Sequence, residues 1–458
     1  MAKTSTSFRR PVCLSESLLG LVLLLRISRI RLQGQSSGQQ IICGDKCRRP
    51  CDIGGMRTTN SSSLLVVAFV VFIDMLGIGL IIPVMPNLIR EISNTNIKHA
   101  AEIGGFLLFI YASMQFICAP LIGGLSDRFG RRPVLLTTLF LLGIDYAVMA
   151  FASSLTWLIV GRLISGIMGA TWAAANSCVA DCIPVERRGN AFGVLGGAGA
   201  AGFVLGPAVG GLAGEIGTRA PFLIASCLAI GGAVAGLLFL KETLPPKKRR
   251  RFDLLRANPL GSIIQMMKAP FVRSCLTVVF FMQLAGQAQL SIWAYWGELE
   301  FAWTPWVSGL TVSFYGILLG VAQAALTGSC VARFGASNTA KWTLLFGLPS
   351  YLLLAFASTT SVAIAAIIVG AITGITFPTL QVLMTERVGD DAQGELQGAI
   401  ASTISLASIV GPIIMTQIFG RFADKHGMYF PGAPYLLSFA ILSLAVFLLW
   451  HTLREGVE

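Results

Sequence analysis

Charge is what this chain has least of. Aspartate, glutamate, lysine and arginine make up 12% of its 458 residues, where an ordinary soluble domain holds about 25%. So little charge excludes a water-soluble globular protein. With 54% apolar residues and a mean hydropathy of +0.74, the chain reads as one that crosses a membrane many times. Histidine is scarcer still: His99, His426 and His451 are the only three. They fall well apart, near the ends of apolar stretches, so the base or metal cluster that an intramembrane enzyme needs is missing. Cysteine offers no framework either. Cys43, Cys47 and Cys51 recur every four residues, but arginines stand between them and no histidine is near, so they read as incidental rather than as a metal site. Basic residues outnumber acidic ones by 34 to 22. They gather in short loops, where bilayer orientation accounts for them and nucleic-acid binding does not.

Runs of about 20 apolar residues predict twelve helices, beginning near Ser63, Glu102, Pro133, Thr156, Ala191, Ala220, Phe271, Trp306, Ala340, Ser361, Glu395 and Ala433. Lysine and arginine favour the even-numbered loops and the C-terminal tail, so both termini are expected in the cytoplasm. The longest connection, Lys241 to Pro270, carries Lys247, Lys248, Arg249, Arg250 and Arg251 after two prolines. It reads as a solvated basic linker between six-helix bundles at 61–240 and 271–458. A nuclear-localisation or lipid-binding role is the alternative for that cluster, but a cytoplasmic loop is where positive residues collect anyway. In Met1 to Gly55 the apolar core, Leu18 to Leu25, is too short to span. Arg9 and Arg10 imitate the start of a signal peptide, yet another basic stretch follows it. Residues 1–60 are therefore expected to be a disordered cytoplasmic extension, with Met56 as an alternative start.

One loop stands out. Gly123-Gly124-Leu125-Ser126-Asp127-Arg128-Phe129-Gly130-Arg131-Arg132-Pro133 places a glycine turn, one acid and three arginines between two lipid-length helices. A weaker copy, Gly328, Arg333, Phe334 and Gly335, follows at an offset of 205 residues, which implies two repeated halves. Asp127 is expected to rest against the positive N-terminus of the eleventh helix, near Gln393-Gly394-Glu395, bridging the halves when the cavity opens outward. Arg128, Arg131 and Arg132 would hold that acid or pair with Asp181 and Glu186. Simple positive-inside anchoring accounts for at least one of them.

A second segment repeats glycine every four residues, at Gly202, Gly206, Gly210 and Gly214, giving a smooth ridge that a neighbouring helix can approach closely. Pro207 kinks it, and Gly411-Pro412 echoes Gly206-Pro207 in the second half. Ordinary tight packing explains the glycines but not the proline among them. The spelling Gly197-Ala198-Gly199-Ala200-Ala201-Gly202 satisfies a dinucleotide fingerprint, but no strand precedes it.

Charges inside the spans carry the most functional weight, since each costs a few kcal/mol at the bilayer centre unless paired or hydrated. Asp74 lies about 15 Å into the first helix, Asp145 about 18 Å into the third and Arg162 about 9 Å into the fourth. Asp145 and Arg162 come out at similar depth, as an ion pair requires. A static buried pair is one reading. The other is a carboxylate that exchanges its arginine for a proton. Asp74 has no partner in its own helix and is the better candidate for facing a polar cavity.

Two six-helix repeats, a basic central loop and the charged glycine loop resemble the major facilitator superfamily from about Ser61 to the C-terminus. That resemblance implies an all-α membrane protein of twelve transmembrane helices in two pseudo-symmetric six-helix bundles. Gly202, Gly206, Pro207, Gly210 and Gly211 match the antiporter motif of its drug/proton antiporters. Asp74 to Leu80, Tyr111 to Gln115, Ser126 to Leu136, Asp145-Tyr146 and Gly161 to Gly166 are similar to the bacterial tetracycline/proton antiporters, as are Gln283 to Gln287, Trp293, Glu298, Gln323 and Leu396 to Gly398. By that similarity Asp74 and Asp145 serve proton and cation coupling, Arg162 partners an acid and Gln115 lines the drug path. Two positions depart: Leu348 stands where those antiporters usually carry an acid, and Leu319 where they carry a histidine. Both losses open the question of stoichiometry and drug choice.

The expectation is proton-coupled efflux of tetracycline-like or other amphipathic drugs across the bacterial cytoplasmic membrane by alternating access. Gln115, Asn176, Gln287 and Gln381 would line the cavity, with aromatic walls at Phe109, Trp172 and Trp293. The implied partners are a small-molecule substrate, protons and the lipid bilayer. No cofactor is implied; the proton gradient is the drive, and a divalent-metal chelate is one form of the substrate. A monomer is compatible with all of this. A symporter or facilitator for a small-molecule nutrient is the alternative transport reading, and a sensor or scaffold with a transporter fold would move no substrate.

Overall fold

The computed structural model describes residues 56–169, 171–245, 249, 261–389, 392–424 and 428–455. Residues 1–55 with their three cysteines, four of the five linker basic residues, His426 and the Glu186 side chain lie outside the described residues; the first helix already begins at Met56, within the stretch expected to be disordered. Those described form helices and no strand. Ten helices are long and apolar enough to cross a membrane: Ser63–Ser93, Ile97–Phe129, Arg131–Ala150, Arg187–Ile216, Ala220–Phe239, Pro270–Phe301, Pro305–Phe334, Thr360–Thr385, Gln393–Phe422 and Ala433–Arg454.

The fourth and ninth crossings are each broken in two. Leu155–Met168 stops at Gly169 and Thr171–Cys182 continues it. In the ninth, Ala336–Leu345 gives way to Gly347–Ala355. Pro349 explains that second break, because its ring meets the carbonyl four residues back, at Leu345, where the first piece ends. Together these make the expected twelve crossings of the major facilitator fold. Leu348, at the position expected to carry an acid in the antiporters, sits one residue before that proline and packs on the apolar core of the second half.

The glycine ridge of the fifth span sets the spacing of its neighbours. A methyl group added at Gly206 would lie 2.7 Å from the Gly79 Cα of the first span, and one added at Gly202 or Gly210 would strike the carbonyls of Phe72 or Leu80. Gly211 meets Pro305 and Trp306 of the eighth span in the same way, and Gly309 of that span abuts the Pro207 carbonyl. Pro207 offers no N–H to the helix and disturbs the turn around it; its neighbour Ala208 donates its N–H to Ser313 Oγ of the eighth span at 3.0 Å. The ridge thus packs on one half and hydrogen-bonds the other.

Contacts between the halves concentrate at one end. The second and eleventh spans touch through Gly105 and Thr416 and through Glu102 and Gly420, and the fifth and eighth through Gly211, Gly214 and Pro305. At the other end, which carries the Gly130 and Gly335 turns, the same four spans part. A methyl group added at Gly123, Gly193, Gly197, Gly320 or Gly394 meets no described atom within 4 Å. The molecule is open at the Gly130 end and shut at the opposite end.

Gly206→Val should therefore overpack the first and fifth spans and destabilise the fold by about 1–3 kcal/mol, while Gly193→Val, placed in open space, should leave it unchanged. Thermal unfolding of the two purified variants in detergent checks this, and equal melting temperatures would refute the close-approach role.

Candidate functional site

Two chambers in the interior share Leu290 as a wall. The first, ≈ 100 Å³, is lined by Asp74, Tyr111, Tyr146, Arg162 and Ser165, with Ser291 and Tyr295 from the seventh span. Asp74 is 1% exposed and Arg162 8%. Neither oxygen of the Asp74 carboxylate has a hydrogen-bond partner among the described residues, and its own helix supplies none, as expected. Leaving a buried carboxylate unsatisfied is expensive, so Asp74 is poised to take a proton or a hydrogen bond from water.

Asp145 sits beside this chamber, 1% exposed and also without a hydrogen bond among the described residues. Gly161 lets the fourth span come so near the third that a methyl group there would lie 3.0 Å from Asp145 Oδ1. Arg162 follows immediately but turns elsewhere. Its Nη2 donates to Met149 Sδ at 2.8 Å, its guanidinium carbon lies 5.8 Å from the Tyr111 ring centre, and its Nε is unpartnered. The two acids therefore flank one arginine that is bonded to neither. Gln115 donates to the Gly169 carbonyl at 2.9 Å, satisfying a backbone group freed by the break in the fourth span.

The second chamber, ≈ 460 Å³, lies mainly in the second half and is lined by Gln283, Gln287, Gln289, Gln323, Trp293 and Tyr315, among others. Trp293 is held from two directions. Its Nε1 donates to Thr311 Oγ1 at 2.9 Å, and its ring packs against Trp296 and Trp303 at 5.6 and 5.4 Å. Gln287 donates to Ser408 at 3.3 Å. Leu319, at the position of the antiporters' histidine, is part of the wall.

At the Gly130 end the charged loop is knitted into its own half. Gly130 has φ +112°, a left-handed conformation that suits glycine. Arg131, 9% exposed, donates Nη1 to Asp127 and Nε to Asp181 at 2.9 Å. Its backbone N–H donates to Glu242 Oε1 at 3.0 Å, so Glu242 caps the third span. Arg132 donates to the Leu237 carbonyl, and Arg128 lies over the Phe129 ring. Asp127 is bound to Arg131 while Gly394, at the start of the eleventh span, faces open space.

The shut end carries two ion pairs between the halves: Arg90 with Glu298, and Lys98 with Asp424 at 3.1 Å. The backbone N–H of Trp306 also donates to Glu215 at 3.2 Å.

Among the other residues singled out from sequence, Phe109 stacks on exposed Phe106, the Trp172 ring faces Gly199 of the fifth span, and Asn176 and Gln381 are half-buried on the fourth and tenth spans. None of these four lines either chamber. Sequence reading passed over Glu242, the shut-end pairs and the glutamines Gln283, Gln289 and Gln323 as site residues. Arg90 and Lys98 did carry a signal, being bases beside an outer loop that the orientation rule leaves poor in positive charge.

Comparison with known proteins places this geometry. The model of the Major Facilitator Superfamily matches residues 67–412. The chain is 40% identical to the tetracycline resistance protein, class C, of Escherichia coli over 80% of its own length and 91% of that protein's. It is 36% identical to the class G protein of Vibrio anguillarum, over 79% and 91%. A crystal structure of a bacterial homolog to the human lysosomal transporter Spinster, in an inward-facing and occupied conformation, superposes with a TM-score of 0.73 at 16% identity, over 87% of this chain and 98% of that one.

Removing both ion pairs of the shut end, by Glu298→Gln with Lys98→Gln, should loosen it. A cysteine placed at Leu108 in the first chamber should then react several-fold faster with an impermeant maleimide added from that side. An unchanged rate would mean that the glycine contacts alone keep the end shut.

Proposed function

The chain belongs to the Major Facilitator Superfamily, and from that membership we propose that it exports tetracycline-like and other amphipathic drugs in exchange for protons. It is a multi-pass membrane transporter. In this reading the halves, residues 61–240 and 271–458, rock about a basic linker in a bacterial cytoplasmic membrane, with both termini and the Gly130 end in the cytoplasm. The excess of lysine and arginine in the loops of that end supports the orientation.

The observation that carries the proposal is the pair of buried acids, Asp74 and Asp145, whose carboxylate oxygens make no close hydrogen bond among the described residues and which are set around one arginine. Drug enters the open end and settles in the glutamine-lined chamber. When the molecule opens to the outside, protons at higher activity neutralise the acids as drug departs. Neutral acids no longer attract Arg162, whose free Nε is the donor that either carboxylate uses once its proton leaves to the cytoplasm. Asp127 then exchanges contacts: closing the Gly130 end brings the eleventh span's N-terminus against it. The antiporter motif supports export over nutrient uptake. Transport needs no bond to be made or broken, and we assign no catalytic residue and no resident metal.

Everted membrane vesicles test this directly. Respiration acidifies their interior, so tetracycline should accumulate inside. Asp74→Asn and Asp145→Asn should each abolish the accumulation while membrane insertion stays normal. Accumulation unchanged in Asp145→Asn would remove that residue from coupling, and substrate movement in the direction of proton flow would favour the nutrient symporter.

A further inference from the structure

The second chamber differs from the first in kind, not only in place. Its lining has no acid, base or histidine among the described residues. Its polar groups are hydroxyls and amides, and the amides of Gln283, Gln289 and Gln323 make no hydrogen bond among the described residues, so they remain available to a ligand. An amide presents a donor and an acceptor side by side. Three of them match a ligand edged with alternating carbonyl and hydroxyl groups, and Trp293, Tyr315 and Tyr351 provide flat walls for fused rings. The volume, ≈ 460 Å³, falls in the range that holds a drug-sized molecule.

The backbone around it is irregular where the ligand would lie. The eighth span makes a π-helical turn at Ala322–Leu326, and the tenth a 3-10 turn at Ile372–Ile375. The two meet closely: a methyl group on Gly374 would lie 2.6 Å from Leu319 Cδ1 and 3.6 Å from Gln323 Cγ. Such turns rotate the side chains that follow, and they recur at binding sites. Here they bring Gln323 and Thr373 onto the chamber wall.

We infer that this chamber takes its cargo without a metal ion, as a net-neutral, polyoxygenated fused-ring molecule, and discriminates against the cationic metal chelate of the same molecule. The inference rests on the drug-export reading above. A chelate carrying excess positive charge gives up hydration on entry, and amides and hydroxyls offer no anionic oxygen to replace it. The adjoining chamber gives little help, because its Asp74 is accompanied by Arg162.

Equilibrium dialysis of radiolabelled tetracycline against the purified full-length protein tests this, in excess EDTA and in excess magnesium. Binding in EDTA should be at least as tight as in magnesium. Binding tenfold or more tighter with magnesium, or no binding in EDTA, would overturn the inference. Gln323→Glu, at an exposed position on the chamber, should shift the ratio of the two affinities at least fivefold toward the magnesium form. An unshifted ratio in the folded variant would overturn the assignment of the chamber. If metal-free drug binds but vesicles fail to accumulate it, the export reading falls and the chamber's preference stands.

Discussion

Backbone lies against backbone where the fifth span crosses the first and the eighth, and the rest of the molecule is arranged around that contact. With no side chain at Gly202, Gly206 or Gly210, the helices approach more closely than any other residue allows. In a bilayer, where lipid tails are as apolar as leucine, such packing is a main source of helix association. The same ridge turns a different edge to the second half through Gly211 and the Ala208 to Ser313 hydrogen bond. A joint made of smooth faces and one hydrogen bond can roll, where interlocked side chains would resist. Both chambers sit beside it: Ile78 and Ile81 of the first span line one, and Phe203 and Val204 of the fifth line the other.

The seventh span joins the two chambers. It turns Ser291 and Tyr295 toward the charged chamber and Gln283, Gln287 and Trp293 toward the neutral one, with Leu290 between. Its far end is clamped by Trp296, Phe301, Trp303 and Tyr435, and Gly297 gives the Trp303 ring room to lie flat against it. Clamped at one end, this helix presents side chains to both chambers in its middle.

Much of this was legible in the sequence, for reasons that differ from residue to residue. The twelve crossings follow from the length of the apolar runs, and even the broken ninth had its proline in view. The glycine ridge was readable because a four-residue spacing fixes a helix face whatever the partner. Asp74 was readable as an isolated intramembrane acid. Helix rotation was not, and it decides which polar residue faces a cavity: Gln287 and Trp293 line one, while Phe109, Trp172, Asn176 and Gln381 do not. Nor was the direction of the Arg162 side chain, since equal depth says nothing about which neighbour a long guanidinium arm chooses, and Met149 took it. Glu242 stayed hidden because its role depends on the end of the sixth span folding back over the start of the third, a pairing that no local pattern encodes.

The two ends of the molecule close by different physics, and the difference bears on how it moves. The end now shut uses ion pairs that cross between the halves, Arg90 with Glu298 and Lys98 with Asp424, at partly exposed positions. Pairs of that kind contribute little individually and separate readily once water enters. At the open end, the charges are already spent within one half: Arg131 holds Asp127 and Asp181 and is nearly buried. Shutting that end requires no new arginine to be desolvated. Asp127 keeps 41% of its side chain exposed there. Opening one end and closing the other therefore trades weak, hydrated contacts for other weak contacts. A transporter that must pass repeatedly between two states of similar free energy is served by that near-balance.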